Sequence, residues 1–419
     1  MARRRQTVAR HAHLRSPHPL AQLLTVLAVC VVVVLVAGAG VAAFSAYQLT
    51  SKLVAKAVDL PDAPAIPPDI GAIEGGFNLV LTGIDTCEPR YAALFGARCQ
   101  GADASDHLND VTMLVHISSK PRRVTVVSFP RDLLLQMPSC RNANGQLVGG
   151  GFGQFNSAYA YGGLACVVAE VEQLSGQSVQ GAAMVTFGGV IQITDAIGGV
   201  SVCLATGIRD RYTGLDMPAG THTIKGLTAL QFLRTRHGVH DGSDLGRISN
   251  QQQYMSSLAR KIVSGGVLSD PATLYKLATV TLDNVTPTTS LTNPLTLVQL
   301  ALAVKGVGFD DIAFIQYPTV AAPSDHNRVA PNYDAASVLW AAIAANKQLK
   351  LTGAVGANGS QVEVKPTAPT APVATPTPGS TATPTPAATT PADQIAVLPP
   401  SISGSTPSQR TCTVGDLSH

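Results

Sequence analysis

Three short apolar runs near the front of the chain limit what it can become. They occupy residues 78–83, 111–117 and 124–129. Each has the length of a buried strand and is bounded by turn-forming or charged residues. The first ends at Gly83-Ile84-Asp85, the second follows Asn109-Asp110, and the third ends at Pro130-Arg131-Asp132. Ser118-Ser119-Lys120-Pro121 reads as the turn between the second and third. A meander of these strands brings Asp85, Asp110 and Arg131 to one rim. Two carboxylates at strand ends are reasonable ligands for a hard, octahedral cation, Mg2+ or in its place Mn2+. The plainer alternative is that both aspartates cap turns.

Strands and helices then alternate. A Gly-rich loop at 149–153 precedes Phe155-Asn156-Ser157-Ala158-Tyr159; it lacks the Gly-Lys-Ser/Thr ending of a nucleotide loop, which counts against ATP or GTP. Residues 166–174 look helical, 183–187 extended, 190–197 helical and 200–204 extended, followed by a loop at 208–218. Further helices are expected at 271–278, 294–303 and 335–345, and a late strand at 311–317. This alternation argues for one α/β domain over residues 77–348. No Gly-x-Ser-x-Gly or His-Glu-x-x-His occurs, so a serine hydrolase or zinc protease has no support.

A cluster of arginines lies between Gln231 and Gln251. Leu227, Leu230 and Leu233 recur at three-residue steps of a helix, which carries Arg234 and Arg236 at its end. Two residues apart, these arginines splay on a regular helix. They converge if the helix stops and the chain turns extended, which Gly238 permits. A second helix starts after Ser243 or Asp244, either of which can cap it, and runs to about residue 263. Arg247 and Gln251 then share one face of its first turns. Planar guanidinium donors at a helix end suit phosphate or pyrophosphate. The bland reading pairs these arginines with the local Asp241 and Asp244 on a solvated surface.

The flanks are of a different character. Arg3, Arg4, Arg5, Arg10 and Arg15 precede the first acid, Asp59. Residues 20–49 contain no charged side chain, enough for one transmembrane helix after a basic cytoplasmic segment, 1–19. That orientation puts the domain outside the cell membrane. The small residues at 42–46 leave a cleaved signal peptide as the rival. Residues 50–76 read as a Pro-containing stalk, and 349–419 as a Pro/Thr/Ala-rich disordered tail. Of seven cysteines, Cys30 is in the apolar run and six remain, an even set suited to an oxidising compartment. Cys87 with Cys99, and Cys140 with Cys166, would each close a loop, although spacing does not fix connectivity. A net charge of +3 is too small to suggest nucleic acid.

In order and spacing, several stretches resemble the LytR-CpsA-Psr family of cell-envelope proteins. They are Leu-Thr-Gly-Ile-Asp (81–85), Asn-Asp-Val-Thr-Met-Leu-Val-His-Ile (109–117), Val-Ser-Phe-Pro-Arg-Asp (127–132) and Phe-Asn-Ser-Ala-Tyr-Ala-Tyr-Gly-Gly (155–163). Asp-Ala-Ile-Gly-Gly-Val (195–200), Gly-Leu-Asp-Met-Pro-Ala-Gly (214–220), Leu-Arg-Thr-Arg-His (233–237) and Asp-Leu-Gly-Arg-Ile (244–248) complete the set. The resemblance implies a three-layer α/β/α fold with a central mixed sheet and an apolar channel for a polyprenyl chain. It implies a Mg2+-dependent phosphotransferase that moves a glycopolymer from a polyprenyl-pyrophosphate carrier to a peptidoglycan hydroxyl. By the same resemblance, Asp85 and Asp110 are the metal carboxylates. Arg131, Arg234, Arg236, Arg247 and Gln251 are the pyrophosphate clamp, and Asp244 is an active-site carboxylate. Two positions depart from the family pattern. Asn109 stands where Arg is frequent, and Gln154, itself counted among the pyrophosphate-binding residues, takes the place of a frequent Lys or Arg, so that one cationic contact to phosphate is either missing or supplied elsewhere. Asp132 is expected to partner an arginine. Arabinogalactan, teichoic acid and capsule are all compatible polymers. A polyprenyl-pyrophosphate hydrolase, or a non-catalytic envelope regulator or lipid-binding module, are the competing functions.

Overall fold

The computed structural model describes residues 47–60 (49 excepted), 63, 64, 66, 76–95, 99, 107–142, 144–240, 242–264, 271–356, 359–364 and 394–418. The expected membrane span falls almost wholly outside these, as does Asp241. Among the described residues no helix is long and apolar enough to cross a membrane. The chain divides at Ser51/Lys52 into two units, and the α/β domain is the second.

The strands that matter here, in chain order, are β1 Phe77–Ile84, β2 Asn109–Ile117, β3 Val124–Phe129, β4 Gly181–Thr186, β5 Val200–Leu204, β6 Ile208–Asp210, β7 Leu215–Met217, β8 Gly220–Ile224, β9 Val285–Pro287, β10 Ile312–Gln316, β11 Thr319–Ala322, β12 Asp325–Pro331, β13 Gln361–Glu363, β14 Gly404–Ser405 and β15 Thr411–Thr413. The helices that matter here are α1 Leu164–Ser175, α2 Phe187–Ala196, α3 Gly226–Arg234, α4 Asp244–Ser264, α5 Pro271–Asn284, α6 Pro294–Lys305 and α7 Tyr333–Ala344. A seven-stranded sheet runs in the order β9-β4-β1-β2-β3-β10-β14. It is mixed: β1, β2 and β3 meander antiparallel, while β4 joins β1 and β10 joins β3 in parallel.

The period of two in the strands sorts their side chains to two faces. Val80, Leu114, Val127 and Ile315 share one cluster with Val167, Val171, Leu339 and Ile343, so α1 and α7 cover that face. Phe77, Met113, Val124 and Phe314 share another with Met255 and Ala259 of α4 and Leu300 and Val304 of α6. With apolar residues demanded on both sides, these strands read as near-continuous hydrophobic runs. On the second face the cover is incomplete. Leu79, Val111, Val115 and Ala183, on strands in the interior of the sheet, are only half-buried.

Three expectations are corrected. The loop at 208–218 is a hairpin, β6 pairing β7; strands of three residues carry too little periodicity to be read. Part of the stalk is seated on the domain: Leu53 is buried, Lys52 Nζ lies 3.1 Å from Asp283 Oδ1, and Val58 bridges Thr288. The carboxy-terminal segment is not all tail. β14 closes one edge of the main sheet, and β15 sits inside a four-stranded sheet, β8-β5-β15-β13. The disulfides pair Cys87 with Cys99, Cys140 with Cys166, and Cys203 of β5 with Cys412 of β15.

A candidate active site at the strand ends

The β1–β2 register slips at the rim: Gly83 faces Val111, but Ile84 faces Asn109. Asp110 is the extra residue, and such a bulge re-aims the side chain it carries. The Asp110 carboxylate meets Arg131, just past the end of β3, with Arg131 Nη1 2.7 Å from Asp110 Oδ1. Behind Arg131, the Phe129 ring stacks on Phe155 and on Tyr317 at 5.7 and 5.1 Å, which fixes the strand end.

Helix α3 stops at Arg234, and Thr235 is extended, with φ −60° and ψ 136°. Asp210 at the end of β6 forces this turn: its Oδ2 accepts from Thr235 Oγ1 at 2.6 Å and from the Arg236 amide at 3.2 Å. Arg234 then lies over the Phe187 ring, 4.5 Å from its centroid, and Arg236 Nη1 reaches to 3.8 Å from Asp132 Oδ2. Ser243 caps α4, accepting from the Gly246 amide at 3.1 Å. Asp244, in the first turn, accepts from the Arg131 amide at 3.2 Å and pairs with Arg247 Nη2 at 2.7 Å. Arg247 Nη2 also donates to the Asp110 carbonyl at 2.7 Å. Four distant segments are thereby tied together, and Arg131, Arg234, Arg236, Arg247, Asp110 and Asp244 share one rim.

Charge is arranged unevenly there. Burial works to raise the Asp110 carboxyl, but the guanidiniums of Arg247, Arg131 and Arg234 outweigh it and hold it below the usual range. Burial pushes Asp244 up, with Asp132 adding to it against the pull of Arg247 and Arg131. Burial, then Arg131 and Arg247, lower Arg236, which stays cationic because arginine starts so high. The Nε atoms of Arg131 and Arg247 are buried without a hydrogen-bond acceptor. A buried charged donor left unsatisfied is expensive, about 1–3 kcal/mol or more. Arg131 Nε nevertheless has two carboxylate oxygens close by, Asp132 Oδ1 at 3.6 Å and Asp244 Oδ1 at 3.7 Å, so its charge is paired, and the more open guanidinium of Arg236 is the one an incoming anion meets.

The remaining expected residues have other partners. Gln154 Nε2 donates to Asp132 Oδ1 at 2.7 Å. Gln251 Nε2 donates to the Leu233 carbonyl at 3.1 Å, so it steadies the end of α3. Asp85 Oδ1 accepts from the Leu108 amide at 3.1 Å at the neighbouring strand end. His237, which follows the two arginines of the α3 end and is no part of the expected set, stacks on Tyr212, with centroids 4.4 Å apart. Asp132 does partner arginines: besides Arg131 and Arg236 it pairs with Arg328 Nη1. Arg328 was invisible in the sequence. It comes from β12, placed by the Val329 amide bonding to the Asp132 carbonyl at 3.4 Å, and it supplies a fifth guanidinium near the rim. Among the described residues no group of three or more His, Cys, Asp or Glu is placed to share a metal. Two carboxylates suffice for a hard cation that takes its other ligands from phosphate and water.

Asp210 yields a prediction. Although burial opposes it, hydrogen bonds from Thr235 and from the backbone of Tyr212, Arg236 and Thr213 hold its carboxyl below the usual range. Its stabilisation is therefore present above the unfolded-state value of about 3.9 and is lost as pH falls through the lower folded value. Asp210→Asn flattens the acid limb of a stability-against-pH curve. It also loosens the turn that aims Arg234 and Arg236, lowering turnover about 10- to 100-fold. An unchanged acid limb in thermal unfolding refutes the assignment.

The LytR_cpsA_psr family model matches residues 44–349. Cell wall biosynthesis protein LcpA of Corynebacterium glutamicum is 28% identical over 273 residues, covering 60% of this chain and 52% of that protein. The polyisoprenyl-teichoic acid–peptidoglycan teichoic acid transferase TagT of Bacillus subtilis is 27% identical over 191 residues, 44% of this chain and 52% of that one. The chain thus spans about half the length of these relatives. Among solved structures, the LytR-Csp2A-Psr enzyme from Actinomyces oris superimposes with a TM-score of 0.51 at 22% identity, covering 69% of this chain and 95% of that one.

Proposed function

The chain belongs to the LytR-CpsA-Psr family, and from that premise we propose that it is a phosphotransferase acting on a polyprenyl-pyrophosphate-linked glycopolymer. The acceptor is a peptidoglycan hydroxyl. Its oxygen bonds to the phosphorus that bears the polymer, the bond from that phosphorus to the carrier's bridging oxygen breaks, polyprenyl monophosphate leaves, and the hydroxyl proton passes to that departing phosphate. The product is a phosphodiester. One observation carries the reading. Guanidiniums from four separate segments, Arg131, Arg234 with Arg236, Arg247 and Arg328, converge on Asp110, Asp132 and Asp244 beside an incompletely covered apolar sheet face.

Arg131 and Arg247 face the bridging region of a bound diphosphate, and Arg234 and Arg236 stabilise charge on its outer oxygens. Asp244 is a positioning residue, holding Arg131 and Arg247 to each other. Asp132, gripped by Gln154, Arg236 and Arg328, orients the second row of donors. Asp85 and Asp110 would hold Mg2+, which when bound neutralises phosphate charge. Leu79, Val111 and Val115 offer the prenyl chain its apolar bed, with Val111 adjoining Asp110. Residues 20–49 anchor the chain in the cell membrane, with the domain outside.

The test uses the full chain in lipid vesicles with a polyprenyl-pyrophosphate-linked glycan and peptidoglycan. We expect acceptor-dependent release of polyprenyl phosphate with glycan appearing in the insoluble fraction. Release at the same rate without acceptor makes the protein a hydrolase. Carrier binding without turnover makes it a lipid-binding module.

A further inference from the structure

Helix α6 turns an unusual surface outward. Leu295, Leu297, Val298 and Leu302 are between 40% and 62% exposed. At helical spacing these four, with exposed Ala301, form a single outer face, and the charged residue on it is Lys305 at the carboxy-terminal end. The helix contains no acid. Scattered exposed leucines are ordinary, but a contiguous apolar helix face marks an interaction surface. The inner face of the same helix is already used: Leu300, Ala303 and Val304 pack on the sheet cluster that includes the half-buried Leu79, Val111 and Val115.

We propose that the outer face of α6 lies on the surface of the lipid bilayer. The occupant is indicated by the chain itself. Residues 20–51 carry no charged side chain, and Lys52 follows directly in the chain. From there the segment is fastened along the approach to α6. Lys52 pairs with Asp283, Lys56 Nζ donates to the Asp283 carbonyl at 2.8 Å, Val58 bridges Thr288, and Thr289 Oγ1 donates to Asp59. Helix α6 begins five residues beyond Thr289, at Pro294. A helix with an apolar face, a lysine at its margin and no acid is suited to the headgroup boundary, where Lys305 keeps its charge in water. The arrangement deepens the proposed function and rests on it for its purpose. A carrier lipid leaving the bilayer beneath α6 would enter the half-covered sheet face without its tail crossing water.

The test places a reporter on that face. Trp340 is the only tryptophan, and its Nε1 is buried without a partner, so Trp340→Phe removes an unsatisfied donor and clears the background. Val298→Trp in that background, as the full chain in phosphatidylcholine–phosphatidylglycerol vesicles, should emit at a blue-shifted wavelength. It should lose most of its intensity when the acyl chains are brominated. Water-like emission with no quenching overturns the proposal. Blue-shifted emission without quenching also overturns it, because a protein partner or a second copy then covers the face. As a second measurement, Leu302→Glu should slow turnover of a long-chain carrier in vesicles at least tenfold and leave that of a short, water-soluble carrier unchanged. Equal loss on both overturns it too. Quenching in a protein that turns over neither carrier would refute the transferase reading alone.

Discussion

Replacing Arg131 with alanine lowers glycopolymer transfer by about 10³-fold or more, the scale expected when a fixed cation facing transition-state charge is removed. The loss compounds two effects. Arg131 is a donor to the incoming diphosphate, and it is also the counter-ion that joins Asp110 to Asp244. Deleting it leaves both carboxylates buried with one guanidinium fewer, and breaking a buried pair in this way costs about 3–5 kcal/mol. Arg131→Lys separates the effects. Lysine restores a positive charge but not the planar fork that spans Asp110 on one side and Asp132 and Asp244 on the other. The lysine variant should recover most of the lost thermal stability and little of the lost turnover. Transfer within tenfold of the parent in either variant would remove Arg131 from the chemistry.

What the sequence discloses about this site depends on how local each signal is. The meander was legible because three apolar runs of strand length flank turn residues, and a meander has one geometry at its ends. The helical spacing over 227–237 overran the true end of α3 at Arg234, whereas the start of α4 at Asp244 was legible from its capping residues. Arg328 was not. It lies nearly two hundred residues from Asp132, in a polar hairpin whose placement depends on a single bridge between Leu133 and Val329. Asp210 was hidden for a related reason: its strand has three residues, and its role is to receive hydrogen bonds from a turn that only tertiary packing creates. Gln251 shows the converse. Its spacing from Arg247 was read correctly, yet a carbonyl at the end of α3 captured its amide. The half-buried sheet face is likewise a property of how helices roof strands, and no residue type announces it.

Removing residues 394–419 prevents the domain from folding, although composition gives the whole region past residue 349 the look of a dispensable tail. Leu398 and Ile402 are fully buried in the core beneath α7, and each contributes about 1.5–3 kcal/mol. The disulfide from Cys412 to Cys203 spans a sequence separation of 209 residues, and closing so long a loop is worth about 5 kcal/mol in the chain-entropy account. Together these approach the net stability of an ordinary domain, about 5–15 kcal/mol. Buried polar groups would also lose partners. Gln253 Nε2 donates to the Thr411 carbonyl at 2.7 Å, and Thr413 Oγ1 donates to Asn250 Oδ1 at 2.7 Å, both on buried faces of α4. The segment also braces the chain between the two arginine-bearing helices: the Asp416 amide donates to the Gly238 carbonyl at 2.8 Å, and the His240 amide to the Val414 carbonyl at 3.3 Å. Cys412→Ser isolates the covalent part of this. It should fold with a lowered unfolding temperature and retain transfer, because the backbone contacts survive, whereas the truncated chain should fail to accumulate or melt without a cooperative transition. A truncated protein that unfolds cooperatively at the parent temperature would show that these strands decorate the domain and do not complete it.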